Sequence, residues 1–208
     1  IERRLNNRFA LLTSGERTKV LENPGFAGFA LDHTLTPRLA YEPTPDGGQK
    51  VKKAGKGGAW EDLTTIPADD ALTTGFGGFD KKNQVIYGTD SRGRDTGALV
   101  SLDVASGKLA VLAEDARADA GDFLVQPSDF SIQAVSFDYE RVSWKVLDRR
   151  ISKDLAGLAK VQRGDVRVMS RTLDDKLWTV SFVSDDQPLK FYLWNRATQK
   201  ATYLWSQR

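Results

Sequence analysis

The sequence predicts an all-β protein made of repeated antiparallel sheets, and three observations support this prediction. First, a turn between two short apolar runs recurs every 92 residues, around positions 15, 107 and 199, in Ser14–Glu16, Ser106–Lys108 and Thr198–Lys200. Second, the segments between turns alternate apolar and polar residues with period two, as half-buried strands do. Third, clusters rich in Asp, Asn and Gly, which favour tight turns, separate these segments.

The repeat length indicates which β architecture to expect. Half of the period is about the length of one four-stranded propeller blade. Diverged copies of the repeat are expected at the midpoints of the 92-residue intervals. The segments there, Val51–Leu63 and Trp144–Leu158, each have the pattern of an apolar strand, a polar turn and a second apolar stretch. The sequence therefore predicts a β-propeller of about four four-stranded blades plus part of another.

The predicted elements follow this period in chain order. The strongest strand patterns are Val85–Tyr87, Val142–Val146 and Leu177–Val183. Asp154–Val161 is a possible helical turn, although Gly157 weakens the helix prediction. The predicted organisation is a partial blade at residues 1–22, then blades at 23–66, 67–115, 116–162 and 163–208, all in one propeller domain.

Aromatic residues on the apolar phase of these strands are expected to fill the space between blades. We predict that Phe137, Trp144 and Trp178 are buried there. The chain starts within one blade and stops with the last strand of another, so an arc of blades is expected. Its terminal strands, near Phe9–Leu12 and Ala201–Trp205, are predicted to self-associate or to pair with each other.

Composition limits the partners and the compartment. The 208 residues include 30 basic and 28 acidic side chains, a net charge of +2 and 40% hydrophobic residues, which is typical of a soluble globular domain. The basic residues are scattered, so no nucleic-acid partner is predicted. There is no apolar run of about 18 residues, so no membrane span is predicted. The absence of cysteine excludes disulfides and thiol catalysis and leaves both cytoplasm and periplasm open.

Hydrolytic motifs are absent. The sequence has no G-x-S-x-G elbow, and its single histidine, His33, is preceded by only one serine, Ser14. A nucleophile, acid and histidine in the α/β-hydrolase order are therefore excluded, and no catalytic residue is predicted. His33 is interpreted as a turn residue.

Metal and cofactor sites are not predicted either. One histidine without cysteine does not make an ordinary zinc site. The pairs Asp69-Asp70, Asp174-Asp175 and Asp185-Asp186 have the oxygen chemistry that calcium prefers, but they fit hairpin turns better and lack the EF-hand spacing. Gly55–Gly58 lacks the order of a phosphate-binding loop and is interpreted as a hairpin tip.

Several longer segments resemble a known family. They are Gly25–Phe29, Ala71–Gly75, Asp90–Thr96, Leu112–Asp115, Gln133–Arg141, Ser170–Trp178 and Tyr192–Arg208. Together they resemble the N-terminal propeller of the prolyl oligopeptidase family of serine peptidases, and most of all its acylaminoacyl-peptidase and dipeptidyl-peptidase branch. The resemblance covers nearly all of the chain.

This resemblance implies a propeller, often of seven blades, that restricts peptide access to an α/β-hydrolase domain. The chain is then expected to be a fragment of a seven-bladed propeller whose partners are a hydrolase domain following Arg208 and the peptide substrate. The catalytic residues would lie in that domain, so no position here corresponds to them. Arg92 and Arg94, in a polar loop, are the candidate peptide-binding residues. The alternatives are a stand-alone propeller that serves as a protein-interaction scaffold and, third, a propeller lectin that uses its aromatic residues.

Overall fold

A computed structural model describes residues 8–11 and 17–207. In these residues the chain forms strands β1 to β17, one α-helix and three short 3-10 turns. The strands are β1 Arg8–Leu11, β2 Arg17–Leu21, β3 Gly28–Leu31, β4 Pro37–Pro43, β5 Gln49–Ala54, β6 Trp60–Ile66, β7 Gly75–Phe79, β8 Val85–Asp90, β9 Ala98–Asp103, β10 Leu109–Ala113, β11 Ala120–Val125, β12 Ile132–Asp138, β13 Val142–Val146, β14 Asp165–Arg171, β15 Leu177–Val183, β16 Lys190–Asn195 and β17 Lys200–Ser206. The helix, α1, spans Ser152–Leu158 and follows β13.

Among the described residues, each strand pairs only with its neighbours in sequence, always antiparallel. A two-stranded sheet of β1 and β2 precedes sheet 1 (β3–β6), sheet 2 (β7–β10), sheet 3 (β11–β13) and sheet 4 (β14–β17). The predicted all-β, propeller-type fold is thereby confirmed. Three of the main sheets have four strands, whereas sheet 3 has three in the described part of the chain, and α1 follows its last strand.

Each sheet is a meander, so its turns lie alternately at two ends. We call the end with the turns between first and second strands the AB face, and the opposite end the BC face. Every AB turn contains one non-glycine residue with positive φ: Leu35, Asn83, Phe130 and Asp175. These positions recur about every 46 residues, so the backbone repeats with half of the 92-residue period.

The recurring turn of the sequence joins the third and fourth strands of a sheet. Gly107 (φ 73°) and Gln199 (φ 53°) occupy the same left-handed position in sheets 2 and 4. Glycine adopts this conformation without steric cost, whereas glutamine is strained there. The first copy, Ser14–Glu16, lies outside the described residues.

Buried side chains lie between consecutive sheets. One cluster joins sheets 1 and 2 around Leu39, Ile86 and Leu102, and another joins sheets 2 and 3 around Leu99 and Phe137. A third cluster, between sheets 3 and 4 and α1, contains Trp178, Trp194, Phe182, Ile151 and Leu158. The core is therefore distributed through the gaps between sheets.

Two of the three aromatic residues that the sequence predicted to be buried are buried in the structure. Trp178 has no exposed surface and Phe137 is 4% exposed. Trp144 is only half-buried, although it packs against the third cluster and its indole N–H donates to the Val166 carbonyl, 3.0 Å away. It lies on β13, and no described strand lies beyond β13 in sheet 3 to cover it.

Helix α1 begins two residues before the predicted segment and ends three residues before its end. Gly157, which weakened the prediction, is inside the helix, where a Cβ atom would lie 2.7 Å from Cη2 of Trp194. A glycine is required at position 157, because the helix packs so closely on the indole ring that even a Cβ atom does not fit.

Candidate functional site

Arg92, the first candidate binding residue, follows β8 on the BC face. Its Nε and Nη2 each lie 2.9 Å from one carboxylate oxygen of Asp90. Its Nη1 donates to Thr64 Oγ1 at 2.6 Å and to the Thr65 carbonyl at 2.8 Å, both on β6 of the neighbouring sheet. Only 22% of the side chain is exposed. The guanidinium therefore ties sheet 2 to sheet 1, an arrangement that we call the Arg92 link.

The electrostatics of the Arg92 link favour a charged carboxylate. Burial opposes ionisation of Asp90, but hydrogen bonds from the Arg92 side chain and backbone outweigh it, so the pKa of Asp90 lies below its ordinary value. The same pairing raises the pKa of Arg92. Both groups are therefore charged at neutral pH.

Arg94, the second candidate, is less tightly held. Its Nη1 lies 2.5 Å from Glu114, and the two side chains are 30% and 60% exposed. Exposed ion pairs of this kind exchange readily with solvent or with another ligand. Of the two predicted binding residues, Arg94 is therefore the one whose guanidinium can reach a ligand without separating two sheets.

The sequence reasoning missed a more extensive cluster on the AB face, which we call the Asp175 network. Asp175 accepts hydrogen bonds from Arg171 at 2.7 and 2.6 Å, from Trp178 Nε1 at 2.7 Å and from Arg196 Nη1. The guanidinium carbons of Arg171 and Arg196 lie 4.6 and 5.1 Å from the Trp178 ring centroid, within cation–π range. One buried carboxylate thus neutralises two arginines that also contact the same indole.

The network extends to both neighbouring elements. Arg171 donates to Gln133 Oε1 at 2.7 Å and to the Val125 carbonyl at 2.9 Å, both in sheet 3. Arg196 donates to Asp154 of α1 at 2.9 Å, and Asp154 also accepts from Trp194 Nε1 at 2.9 Å. Sheet 3, α1 and sheet 4 are therefore joined by one set of hydrogen bonds. The Asp174-Asp175 pair was the part of this network visible in the sequence, and the sequence analysis interpreted it only as a hairpin turn.

The single histidine also connects sheets. His33 Nε2 lies 3.0 Å from the Phe79 carbonyl and 3.1 Å from that of Asp80, so this nitrogen carries a proton and donates. The imidazole stacks on Phe130 with ring centroids 3.7 Å apart. His33 lies in an AB turn, as predicted, and links the AB turns of sheets 1, 2 and 3.

Asp174, Asp186 and Asp70, from the three acidic pairs, each accept hydrogen bonds, and for Asp70 the donor lies 21 residues away. Asp174 accepts from Thr172 and Lys176 within one turn, and these bonds lower its pKa to about 2. Asp186 accepts from Ser184 at 2.5 Å, and Asp70 accepts from Ser91 at 2.7 Å. Within residues 8–11 and 17–207, no group of three or more His, Asp or Glu is arranged to hold a metal ion. In the same residues, no helix is long and apolar enough to cross a membrane.

Comparison with known proteins agrees with this architecture. The chain is 45% identical over 198 residues to dipeptidyl aminopeptidase BIII of Pseudoxanthomonas mexicana, covering 95% of this chain and 29% of that protein. It is 29% identical over 215 residues to dipeptidyl peptidase family member 6 of Caenorhabditis elegans, covering 98% of this chain and again 29% of the relative. No model of a protein family matches the sequence.

Solved structures show the same fold. A prolyl endopeptidase superimposes with a TM-score of 0.57 at 14% identity, over 91% of this chain and 28% of the other. TolB from Acinetobacter baumannii superimposes with a TM-score of 0.53 at 13% identity, over 94% of this chain and 47% of the other. At such low identity these two structures establish the fold alone.

Fold and comparisons together define a propeller-type chain. More particularly, it is related over nearly its whole length to dipeptidyl peptidases, and the resemblance to the propeller of prolyl oligopeptidase family enzymes is confirmed. The chain spans about 29% of the length of these curated relatives.

Proposed function

We propose that this chain is a non-catalytic β-propeller portion of a serine peptidase of the prolyl oligopeptidase family. In that protein it docks on an α/β-hydrolase domain and restricts which peptides reach the active site. The observation that carries the proposal is the 45% identity to a dipeptidyl aminopeptidase over 95% of this chain. Within the propeller, the four main sheets support blades at residues 23–66, 67–115, 116–162 and 163–208.

For the two candidate arginines we propose different tasks. Arg94 contacts the peptide, because its exposed partner Glu114 can be exchanged for a ligand group. Arg92 positions the loop between β8 and β9, because its guanidinium is held by Asp90, Thr64 and Thr65. A peptide carboxylate near the BC face is the chemistry that an arginine would recognise.

The first test asks whether the chain is non-catalytic. Purified chain is treated with a fluorophosphonate probe and with dipeptidyl chromogenic substrates. We expect neither covalent labelling nor hydrolysis above background, because the sequence lacks a nucleophile elbow. Labelling at a defined serine would overturn the proposal.

The second test asks whether the chain works inside a peptidase. A chimera is made in which this chain replaces the 198 aligned residues of dipeptidyl aminopeptidase BIII. We expect a folded chimera that releases dipeptides, with Arg94→Gln raising KM and leaving kcat nearly unchanged. Arg117→Gln is the matched control, because Arg117 is 66% exposed and its ion pair with Asp115 is long, 3.8 Å. A folded but inactive chimera contradicts the proposed domain, and equal KM values for both variants contradict the assignment of Arg94.

The alternative of a stand-alone interaction scaffold has support from the fold alone, through the similarity to TolB. Either reading is compatible with self-association through the terminal strand β17. Tyr203, Leu204 and Trp205 on that strand are 53%, 39% and 50% exposed, and an apolar edge of this kind recruits other strands. Sedimentation velocity of the chain measures this association, and a strict monomer at high concentration would contradict it.

A further inference from the structure

The AB face carries most of the lysines that have no acidic partner. Among the described residues, the lysines with a carboxylate within 4.0 Å are Lys19, Lys50, Lys52 and Lys176. The others lie mainly in or beside the turns of the AB face, where the turns between third and fourth strands also lie, among them Lys53, Lys56, Lys81, Lys82, Lys108 and Lys200. On the BC face of the described chain, the lysines of this kind are Lys160 and Lys190.

The carboxylates show the opposite distribution. Among the described residues, acidic side chains without a basic partner within 4.0 Å lie mainly on the BC face, among them Asp46, Asp69, Asp95, Asp119, Asp138 and Glu140. On the AB face they are Glu61, Asp80 and Asp103. Two of these are held by their own turns, since Asp80 accepts from the Gln84 N–H and Asp103 from the Ser106 N–H, both at 2.7 Å. The AB face is therefore the basic face of the described chain.

The turns of the AB face form one continuous surface. His33 of sheet 1 bonds to the carbonyls of Phe79 and Asp80 in sheet 2 and stacks on Phe130 of sheet 3. Arg171 of sheet 4 donates to the Val125 carbonyl of sheet 3 at 2.9 Å. The AB ends of the four main sheets are thus fixed to one another, and a partner can contact several of them at once.

Two leucines project from this basic surface. Leu35, in the turn between β3 and β4, is 69% exposed, and Leu173, in the turn between β14 and β15, is 85% exposed. Leu35 also has a φ of 63°, a left-handed conformation that asparagine adopts more readily than a bulky apolar residue. Neither leucine is explained by packing within the chain, so both are available to an apolar partner.

A membrane with anionic headgroups matches both features of the AB face. Aliphatic side chains at turn tips enter the boundary between headgroups and acyl chains, while lysines beside them bind the lipid phosphates. An acidic protein would also satisfy the lysines. Leu35 and Leu173 lie on different sheets, however, so a continuous apolar layer accommodates both more readily than one pocket of a protein.

We propose that the AB face binds the surface of an anionic membrane, with Leu35 and Leu173 inserted among the lipid headgroups. Each lysine near an anionic surface strengthens such binding by about fivefold. The contact is peripheral, because it involves turns and no membrane-spanning helix. This proposal does not depend on the proposed peptidase function, since its test measures lipid binding and not hydrolysis.

The test measures cosedimentation of the whole chain with lipid vesicles. One set of vesicles is pure phosphatidylcholine, and the other contains about 30% phosphatidylglycerol, which supplies the negative charge. In about 0.1 M salt we expect at least about tenfold tighter binding to the anionic vesicles, and we expect about 0.5 M salt to remove most of this difference by screening. Equal binding to both kinds of vesicle, or no binding to either at millimolar lipid, overturns the proposal.

A pair of double variants tests the basic side chains. Lys81→Gln with Lys82→Gln removes two charges from the AB face and should weaken binding to anionic vesicles about tenfold or more. Lys160→Gln with Lys190→Gln is the matched control, because it removes the same charge from lysines of the BC face that also lack an acidic partner. The same loss of binding in both double variants would reduce the effect to net charge and contradict the assignment of the AB face.

The leucines are tested in the same assay. Leu35→Asn keeps a residue that tolerates positive φ and removes the aliphatic group, and Leu173→Ser does so on sheet 4. Each should weaken binding to anionic vesicles at least about threefold. Leu72→Ser is the control, because Leu72 is 99% exposed but lies in the connection between β6 and β7 on the BC face. If Leu35→Asn does not fold, Leu173→Ser decides.

Two further outcomes would contradict the proposal. Unchanged binding by folded Leu35→Asn and Leu173→Ser would leave a purely electrostatic attraction without insertion. Binding to soluble poly-glutamate but not to anionic vesicles would assign the AB face to an acidic protein partner.

Discussion

Two arginine-centred clusters hold neighbouring sheets together, and they differ in how deeply they are buried. In the Arg92 link the arginine side chain is 22% exposed and rests on one carboxylate at the rim of sheets 1 and 2. In the Asp175 network, Arg171 is 7% and Asp175 9% exposed, and the same carboxylate holds a second arginine and an indole N–H.

The two interfaces also differ in the elements that form them. Sheets 1 and 2 both have four strands and share an apolar cluster that reaches from Leu39 to Val104. Sheet 3 has three strands, and between it and sheet 4 the helix α1 and the Asp175 network lie beside the tryptophans. Hydrogen-bonded charges are therefore buried more deeply between sheets 3 and 4 than in the Arg92 link between sheets 1 and 2. Because buried charges are costly when a partner is lost, this interface is expected to be the more sensitive of the two.

The largest effect is expected at the indole that both arginines contact. Trp178→Ala removes a fully buried ring and should lower the free energy of unfolding by about 3–5 kcal/mol. Trp205→Ala is the matched control, because Trp205 is 50% exposed and stacks only on Phe191 at 4.5 Å, and its cost should be about 1 kcal/mol. Urea unfolding measures both, and equal costs would contradict the assignment of Trp178 to the core between sheets.

The next effect isolates the charge of the network. Asp175→Asn leaves Arg171 without an anionic partner and leaves Arg196 with Asp154 alone, and it should destabilise the chain by about 3 kcal/mol. Asp174→Asn, one residue away in the same turn, removes an exposed carboxylate and should change stability far less. If the two variants unfold at the same urea concentration, the network does not hold sheets 3 and 4 together.

The contact between α1 and sheet 4 is tested by adding a single methyl group. Gly157→Ala should destabilise by about 1–3 kcal/mol, because the new Cβ overlaps the Trp194 ring. Helix propensity alone predicts the opposite sign, since alanine is the better helix former. A more stable Gly157→Ala variant in thermal unfolding would show that the ring moves aside.

A smaller effect is expected at the Arg92 link. Arg92→Gln leaves Asp90 with weaker hydrogen bonds and should cost about 1–2 kcal/mol. Arg94→Gln breaks an exposed pair and should cost about 0.5 kcal/mol or less. Denaturant unfolding of the two variants side by side checks the distinction between a residue that ties sheets and one that is free to contact a ligand.

The smallest effect concerns pH. The pKa of Asp90 is below the ordinary 3.8 in the folded chain, so the Arg92 link contributes its full stability above that value and loses it as the pH falls through the folded pKa. The stability difference between the original chain and Arg92→Gln should therefore be constant from about pH 5 to 7 and shrink below about pH 4. Carbon-detected titration of Asp90 should show a higher pKa in the Arg92→Gln variant. An unchanged pKa would show that Arg92 does not cause the lowered pKa of Asp90.

Much of the architecture followed from local pattern. The 92-residue interval, the alternation in Val142–Val146 and the turn chemistry predicted a repeated all-β fold, because strand period and left-handed turn positions are properties of neighbouring residues. The same applies to the turn position of His33 and to the absence of a nucleophile elbow.

The candidate site was less predictable. Arg92 and Arg94 stand two residues apart and read alike in the sequence, yet one binds across to Thr64 and Thr65 and the other to exposed Glu114. These partners are 20 or more residues away, so no local pattern distinguishes the two arginines.

The sequence by itself determined that this protein is a β-repeat related to the propeller of a peptidase, without catalytic machinery of the hydrolase kind in these residues. Only the tertiary structure decided that Asp175 is the centre of a network joining sheets 3 and 4, and that Gly157 packs against the Trp194 ring. It also decided that sheet 3 has three strands in the described part of the chain. The physical reason is that strand and turn preferences act between residues close in sequence, whereas ion pairs, ring contacts and strand edges depend on segments that only folding brings together.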